Sequence, residues 1–178
     1  MSIDIVNYSD GLKGSLFDFT GRCFEELGKR FEPSGRHSNY NDIPGNFVMF
    51  DCLIDGPCVC GTVALKELDH ETAELKALYL DRELRGRGYG RRLISSAVSF
   101  AREHGYKKIL LDSMSQYEDA RRLYERMGFV DTERYNDNPY ADVFMRLDLS
   151  LTEPAGRMYD EQYEVKKEWR YSHEDNHV

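Results

Sequence analysis

The sequence predicts an α/β fold in which an antiparallel front half leads into a strand–helix–strand unit. Three observations predict it. The apolar runs Phe47 to Ile54 and Cys58 to Leu68 are joined by Asp55-Gly56-Pro57, a turn signal that makes them a hairpin. A loop rich in glycine and arginine, Arg85 to Gly90, then separates the strand-like Ala73 to Leu80 from a helical stripe of Leu93, Ala97, Phe100 and Ala101. Finally, Ile109-Leu110-Leu111 is an apolar run short enough for a strand buried on both faces.

The remaining elements follow in order. Ile3 to Tyr8 reads as a first strand. Leu16, Phe19, Cys23, Leu27 and Phe31 recur at helical spacing, so a helix is expected to continue until Pro33 stops it. Glu32 to Asn46 is polar and holds Pro33, Gly35, Pro44 and Gly45, the composition of a long surface loop. Asp69-His70 marks a turn before the strand that starts at Ala73. Ala120, Leu123, Tyr124 and Met127 are spaced i, i+3, i+4, i+7, with Gly128 where a helix end takes a left-handed residue. Phe129 to Tyr135 and Tyr140 to Leu149 then read as a final hairpin around Asn136-Asp137-Asn138-Pro139. This organisation places one domain over residues 1–150 and a charged tail over 151–178. The tail is read as a solvated helix or frayed end, with the alternative of an arm that docks on a second copy to form a homodimer.

Charge and composition narrow the function classes. The 178 residues carry 24 Lys plus Arg against 32 Asp plus Glu, a formal net charge of −8. A general nucleic-acid binder needs the opposite balance, and a cationic small substrate is mildly favoured over an anionic one. Hydrophobic residues make up 40%, enough for a real core and against wholesale disorder. No apolar run reaches the length that spans a bilayer, and Met1-Ser2-Ile3-Asp4 lacks the features of a signal peptide. A cytoplasmic protein that meets neither membrane nor nucleic acid is therefore expected. Cys58 and Cys60 share a strand face and Cys52 precedes them, but no nearby His completes a zinc spacing. These thiols are read as core residues, and no metal is expected.

The most informative segment is Arg85-Gly86-Arg87-Gly88-Tyr89-Gly90. Its glycines let the backbone turn tightly and approach a ligand closely. The N–H groups of a following helix start lack internal partners, and Arg85, Arg87, Arg91 and Arg92 add positive charge there. The combination suits a pyrophosphate. A dinucleotide fingerprint counted from Gly86 requires a sixth-position glycine, where Arg91 stands, and the Gly-Lys-Ser/Thr of a Walker loop is missing.

Arg85-x-x-Gly88-x-Gly90 resembles the acetyl-coenzyme A loop, Q/R-x-x-G-x-G/A, of the GNAT N-acetyltransferase superfamily. Ala73 to Leu80 is similar to the strand before that loop in the family, and Ala120 to Phe129 to its later helix with a Leu-Tyr-x-x-x-Gly-Phe ending. The resemblance implies a mixed, mostly antiparallel and roughly seven-stranded sheet flanked by helices, whose central strands splay apart. It implies acetyl-coenzyme A as acetyl donor. The pyrophosphate would lie on Arg85, Gly86, Arg87, Gly88, Tyr89, Gly90 and Arg91, with the pantetheine arm along Leu78, Tyr79 and Leu80.

Acetyl transfer to an amine needs a base for the amine, donors for the developing oxyanion and an acid for the thiolate. The resemblance carries the base to Glu74, the acid to Tyr124 and carbonyl polarisation to the backbone N–H of Leu78. Each side chain also has a structural reading. Glu74 shares a strand face with Lys76, which makes an ion pair equally natural, and Tyr124 lies on an apolar stripe. Four residues of straight strand put Glu74 about 13 Å from Leu78, so the family chemistry requires a bulge or a water relay. Tyr117 is the alternative acid. The acceptor, a primary amine of a small molecule or peptide attacking directly in a ternary complex, would lie between Arg36, His37 and Tyr40 on one side and Tyr135, Asn136 and Tyr140 on the other. Two other classes stay open: a sensor that binds acyl-coenzyme A without catalysis, and an unrelated regulator whose glycine loop holds another nucleotide or anion.

Overall fold

The computed structural model describes residues 3–150. The tail and any homodimer arm in it lie outside the described residues. Strand β1 (Ile3–Asn7) leads to helix α1 (Lys13–Glu26), and the short helix α2 (Ile43–Asn46) precedes β2 (Met49–Asp55), β3 (Cys58–Asp69) and β4 (Thr72–Leu80). Helix α3 (Tyr89–Glu103) connects β4 to β5 (Lys108–Ser113). Helix α4 (Glu118–Arg126), β6 (Val130–Asp131) and β7 (Val143–Asp148) follow. The strands form a seven-stranded sheet in the order β1-β2-β3-β4-β5-β7-β6. Neighbours run antiparallel except β4 and β5, whose parallel pairing is the product of the crossover helix α3.

Strand alternation distributes the core over both faces. Val63 and Leu65 of β3, Ala73 and Leu75 of β4 and Ile109 and Leu111 of β5 pack with Leu93, Ile94, Ala97 and Ala101 of α3 and with Tyr124 and Phe129. Burial of each Leu or Ile on that stripe stabilises the fold by about 1.5–3 kcal/mol. Phe50, Cys52, Val59 and Ala64 face the other way, toward Leu16, Phe19 and Cys23 of α1 and toward Tyr40, Ile43 and Phe47.

Two departures from the sequence reading matter for the site. Helix α1 ends at Glu26, because Gly28 takes a left-handed backbone (φ 66°) and Lys29 N–H bonds back to the Phe24 carbonyl. Phe31 still reaches the core, but from the loop, with its ring against Phe17, Phe24, His37 and Tyr40. The final hairpin is the second. Its β6 arm has only two residues, and residues 132–142 form an irregular excursion. Arg134 fastens that excursion by donating to the carbonyls of Asn138 (3.1 Å) and Ala141 (2.9 Å) while lying over the Phe144 ring.

β4 is irregular on both of its edges. Against β5 it pairs only through Thr72↔Lys108, Ala73↔Ile109 and Glu74↔Leu110, whereas against β3 it pairs out to Leu80. Its β3 register slips between Thr62↔Tyr79 and Ala64↔Lys76, so Ala77 and Leu78 together oppose Val63. Such a bulge costs a strained residue, and Ala77 takes it with φ 52°. Thr62 Oγ1 donates to the Ala77 carbonyl at 2.6 Å and holds the kink. The extra residue also resets the alternation. Leu78 and Leu80 pack toward α3, while Ala77 and Tyr79 pack toward α1. Thr62→Val keeps the side chain's shape and removes that bond, and it is expected to lower stability by about 1 kcal/mol in thermal unfolding. Ala77→Gly relieves the left-handed strain and is expected to leave the melting temperature level or raise it.

Candidate active site

The glycines of the Arg85–Gly90 loop divide into two roles. Gly86 (φ 75°) and Gly88 (φ 85°) adopt left-handed backbones, and Gly88 is the residue that caps α3. A Cβ at either would meet nothing within 4 Å, so the ground before the helix start is open. The first N–H groups of α3 point into it, lacking acceptors within their own helix. At Gly90 a Cβ would stand 2.9 Å from Leu123 Cδ2, so this glycine sets how closely α3 approaches α4.

The arginines divide as well. Arg87 and Arg91 are solvent-exposed beside the helix start, and the Arg92 guanidinium lies 5.4 Å from the Tyr89 ring centroid. Arg85 turns back instead. Its Nη2 pairs with Glu26 Oε2 at 2.9 Å and its Nε donates to the Leu80 carbonyl at 3.1 Å. Arg85 thus fastens the loop to α1 and to the end of β4, a role its motif position did not announce.

Beyond Glu74 the β5-facing edge of β4 runs unpaired past Leu78, Tyr79 and Leu80, alongside the gap that leads from the α3 start. Three phenols come from the elements next to this gap: Tyr79 of β4, Tyr124 of α4 and Tyr117 before α4. Tyr79 packs its ring 5.6 Å from that of Phe24, and burial, with smaller contributions from Cys23, Tyr124 and Tyr117, raises its hydroxyl pKa. Tyr124 is buried against Phe129, and burial, with the Asp112 charge adding to it, pushes its hydroxyl up to about 12. It therefore keeps its proton throughout the physiological range. Tyr117 stands between β5 and α4 as the residue before the helix.

Glu74 is buried at 4% exposure and sits at the centre of a polar network. Its Oε1 receives Lys76 Nζ at 2.9 Å, the Tyr135 hydroxyl at 2.8 Å and Asn136 Nδ2 at 3.3 Å. Lys76 also pairs with Asp112 Oδ1 at 3.0 Å, and Asp112 Oδ2 receives Asn136 (2.8 Å) and Asn138 (3.0 Å). The ion pair with Lys76 that the sequence suggested is thus present and extends across the gap to β5. Burial opposes charge on Lys76, yet Glu74 and Asp112 outweigh it and raise its pKa. Burial likewise opposes charge on Asp112, and Asn138, Lys76 and Asn136 outweigh it, leaving its carboxyl below the ordinary range.

The loops expected to flank an acceptor meet this network unequally. Tyr135 and Asn136 touch Glu74 directly. Arg36 is occupied by Glu32, with Nε 3.0 Å from its Oε2, and Tyr140 is its other electrostatic neighbour. His37 Nδ1 accepts from Glu32 N–H, its ring lies edge-on to Phe24, and burial lowers its pKa. Tyr40 belongs to the core, 5% exposed among Phe31, Phe47 and Phe50, and so stands away from the network. The sequence offered no signal for the roles of Asp112 and Asn138. Burial pushes the thiols of Cys23 and Cys52 up to about 12 and that of Cys60 up to about 11, which makes them poor nucleophiles. Among the described residues no group of three or more His, Cys, Asp or Glu side chains is placed to hold a metal ion, and no helix is long and apolar enough to cross a membrane.

The network makes a pH prediction. The stability that Asp112 contributes is present above the usual carboxylate range, near pH 4, and is lost as pH falls through its lowered folded value. The contribution of Lys76 is present below about pH 10.4 and is lost as pH rises through its raised folded value. Lys76→Met leaves two carboxylates without their cation and is expected to cost about 3 kcal/mol at pH 7. Melting temperatures at pH 7 and 5 check this: the deficit should shrink on acidification, as protonation relieves the uncompensated charge.

Comparison with known proteins matches this geometry to a family. The model of the acetyltransferase (GNAT) family matches residues 15–129, nearly two thirds of the chain. An uncharacterized N-acetyltransferase of Schizosaccharomyces pombe is 37% identical over 78 residues, covering 43% of this chain and 48% of that protein. The chain thus spans about half the length of that curated relative. A GNAT-family acetyltransferase of Staphylococcus aureus Mu50 superposes with a TM-score of 0.74 at 20% identity, over 83% of this chain and 99% of that one. An N-acetyltransferase of Thermoplasma acidophilum in complex with coenzyme A superposes with a TM-score of 0.68 at 21% identity, over 83% and 99% of the respective chains. These two likenesses concern the fold. With its glycine loop, parted strands and later helix all inside or beside the matched stretch, the chain belongs to the acetyltransferase (GNAT) family.

Proposed function

We propose that the protein is an acetyl-coenzyme A-dependent N-acetyltransferase acting on a primary amine of a small molecule or peptide. The observation that carries this reading is the parting of β4 from β5 after Glu74, with the bulge at Ala77 and the open helix start at the end of the same gap. The residues fit the cofactor. Gly86 and Gly88 admit a pyrophosphate to the N–H groups of α3, with Arg87 and Arg91 beside it, Tyr89 and Gly90 in the first turn, and Arg85 bracing the loop. Leu78, Tyr79 and Leu80 offer backbone groups to a thioester arm. Acetyl-coenzyme A supplies the activated acetyl thioester, and a metal has no assigned part in this reading.

Glu74 is the proposed base for the amine, and Tyr124, neutral at physiological pH, holds a proton for the departing thiolate. The bulge shortens and turns β4 between Glu74 and Leu78, which supports this reading, and a water relay would span the distance that remains. Raised thiol pKa values favour direct attack by the amine over an acyl-enzyme. One observation favours the second reading, a non-catalytic acyl-coenzyme A sensor: Oε1 of Glu74 already accepts three donors.

Thiol release from acetyl-coenzyme A across a panel of amines separates the two readings, and amine-dependent release is expected. Gly88→Asp places a carboxylate where the pyrophosphate would sit and is expected to abolish acetyl-coenzyme A binding by calorimetry while the fold survives. Glu74→Gln is expected to lower kcat chiefly at lower pH, with rescue at alkaline pH where the amine is free. Tyr124→Phe keeps the ring and is expected to reduce kcat by roughly 10²- to 10⁴-fold with little change in stability. A more acidic leaving thiol should shrink that defect. An unchanged defect would make Tyr124 a packing residue.

A further inference from the structure

The peptide that joins Ala77 to Leu78 is where the bulge and the proposed chemistry share atoms. Its carbonyl belongs to Ala77, and its N–H, on Leu78, is the candidate donor to the thioester carbonyl. Neither residue has a register partner of its own on β3, so this peptide stands outside the regular ladder. A buried carbonyl in that position needs a donor from elsewhere. Thr62 Oγ1 supplies it at 2.6 Å. Within the buried stretch 59–65, Val-Cys-Gly-Thr-Val-Ala-Leu, this hydroxyl is the one strong donor among the side chains.

The direction of that bond decides where the N–H goes. The peptide is trans, so its C=O and N–H lie in one plane and point opposite ways. Thr62 stands on β3, in register with Tyr79, and is 1% exposed. With the Ala77 carbonyl turned to the Thr62 side chain, the Leu78 N–H points away from it and so away from β3. Pairing with β5 ends at Glu74, and no β5 carbonyl is in register to accept that N–H. The left-handed backbone of Ala77 (φ 52°) is costly for an alanine and persists only where its surroundings hold it. Thr62 is the side chain that holds it.

We infer that Thr62 is a positioning residue for acetyl transfer, whose hydroxyl acts through the Ala77 carbonyl to aim the Leu78 N–H at the thioester carbonyl. The inference rests on the reading that acetyl-coenzyme A occupies the gap between β4 and β5. A hydrogen bond accepted at the C=O polarises the amide and strengthens its N–H as a donor. A donor fixed before the reaction stabilises the developing oxyanion without having to reorganise. Thr62 itself need touch neither substrate nor cofactor.

The test follows the carbonyl of the bound donor by infrared difference spectroscopy, with acetyl-coenzyme A isotopically labelled at the acetyl carbonyl carbon. The wild-type protein is compared with Thr62→Ser, Thr62→Cys and Thr62→Val. The labelled band falls in frequency as its oxygen is more strongly hydrogen-bonded. It is expected lowest in the wild-type protein and Thr62→Ser, higher in Thr62→Cys and highest in Thr62→Val, the order of side-chain donor strength. Thr62→Val is expected to lower kcat by about tenfold at unchanged KM for the amine, short of the roughly 10²- to 10³-fold cost of losing an oxyanion donor outright. Its affinity for coenzyme A, which has no acetyl carbonyl, should match the wild type by calorimetry. A hydroxyl with a structural role alone would lower the melting temperature of Thr62→Val and leave band and kcat unmoved, and that result would overturn the inference. So would Thr62→Ser behaving like Thr62→Val, or a loss of coenzyme A affinity equal to the loss in kcat. Should Thr62→Val not fold, the band of Thr62→Ser against that of Thr62→Cys decides in the same way. Failure of the wild-type protein to bind acetyl-coenzyme A would overturn the proposed function, and this inference with it.

Discussion

β4 and β5 are hydrogen-bonded neighbours over three residue pairs and part after Glu74↔Leu110. A strand in mid-sheet that loses one neighbour leaves a row of backbone N–H and C=O groups to be satisfied by something else. The rest of the site is arranged around that deficit. The bulge at Ala77 turns the unpaired stretch, and Thr62 pins the turn from the side that remains paired. The helix start at Gly88 supplies positive partial charge at the end of the opening.

An opening in a sheet also has to be kept from spreading, and the Glu74–Lys76–Asp112 network does this. Lys76 on β4 bridges a carboxylate of its own strand to one on β5, close to the point of parting. Asn136 ties both carboxylates to the loop after β6. With two acids and one base held together at the edge of the core, the neutral donors of Tyr135, Asn136 and Asn138 offset the charge that Lys76 cannot. The same arrangement brings the proposed base into contact with the loop expected to receive the acceptor. Under the proposed function, stability and chemistry share one set of side chains.

Much of this was legible in the residue order, and the limits have physical causes. Period-two and period-3.6 patterns set out β1 to β5, α3 and α4, because those patterns are burial itself, but they overran the end of α1 and the length of β6. The pairing of Glu74 with Lys76 could be read from strand alternation. Asp112 and Asn138 could not, since their approach depends on the parallel register and on the path of residues 132–142. The left-handed residue at the bulge is an alanine, which carries no sequence signal for positive φ. Tyr40 was hidden as a core residue, and Phe31 as one that packs from a loop, because a polar loop folds its few aromatics inward. Arg85 matched its motif while its guanidinium went to Glu26, a contact made across 59 positions of sequence.

The central claim is that the gap between β4 and β5 holds the acetyl donor. A crystal structure of the protein with acetyl-coenzyme A tests it most directly. The account predicts the pyrophosphate against the N–H groups of the first turn of α3 and the thioester carbonyl at the N–H of Leu78. The structure has another opening of about 450 Å³, lined by Arg22, Glu26, Asp55, Asp81 and Arg82 at the far side of the loop. A donor found there, with β4 and β5 closed on their own side chains, would contradict the account.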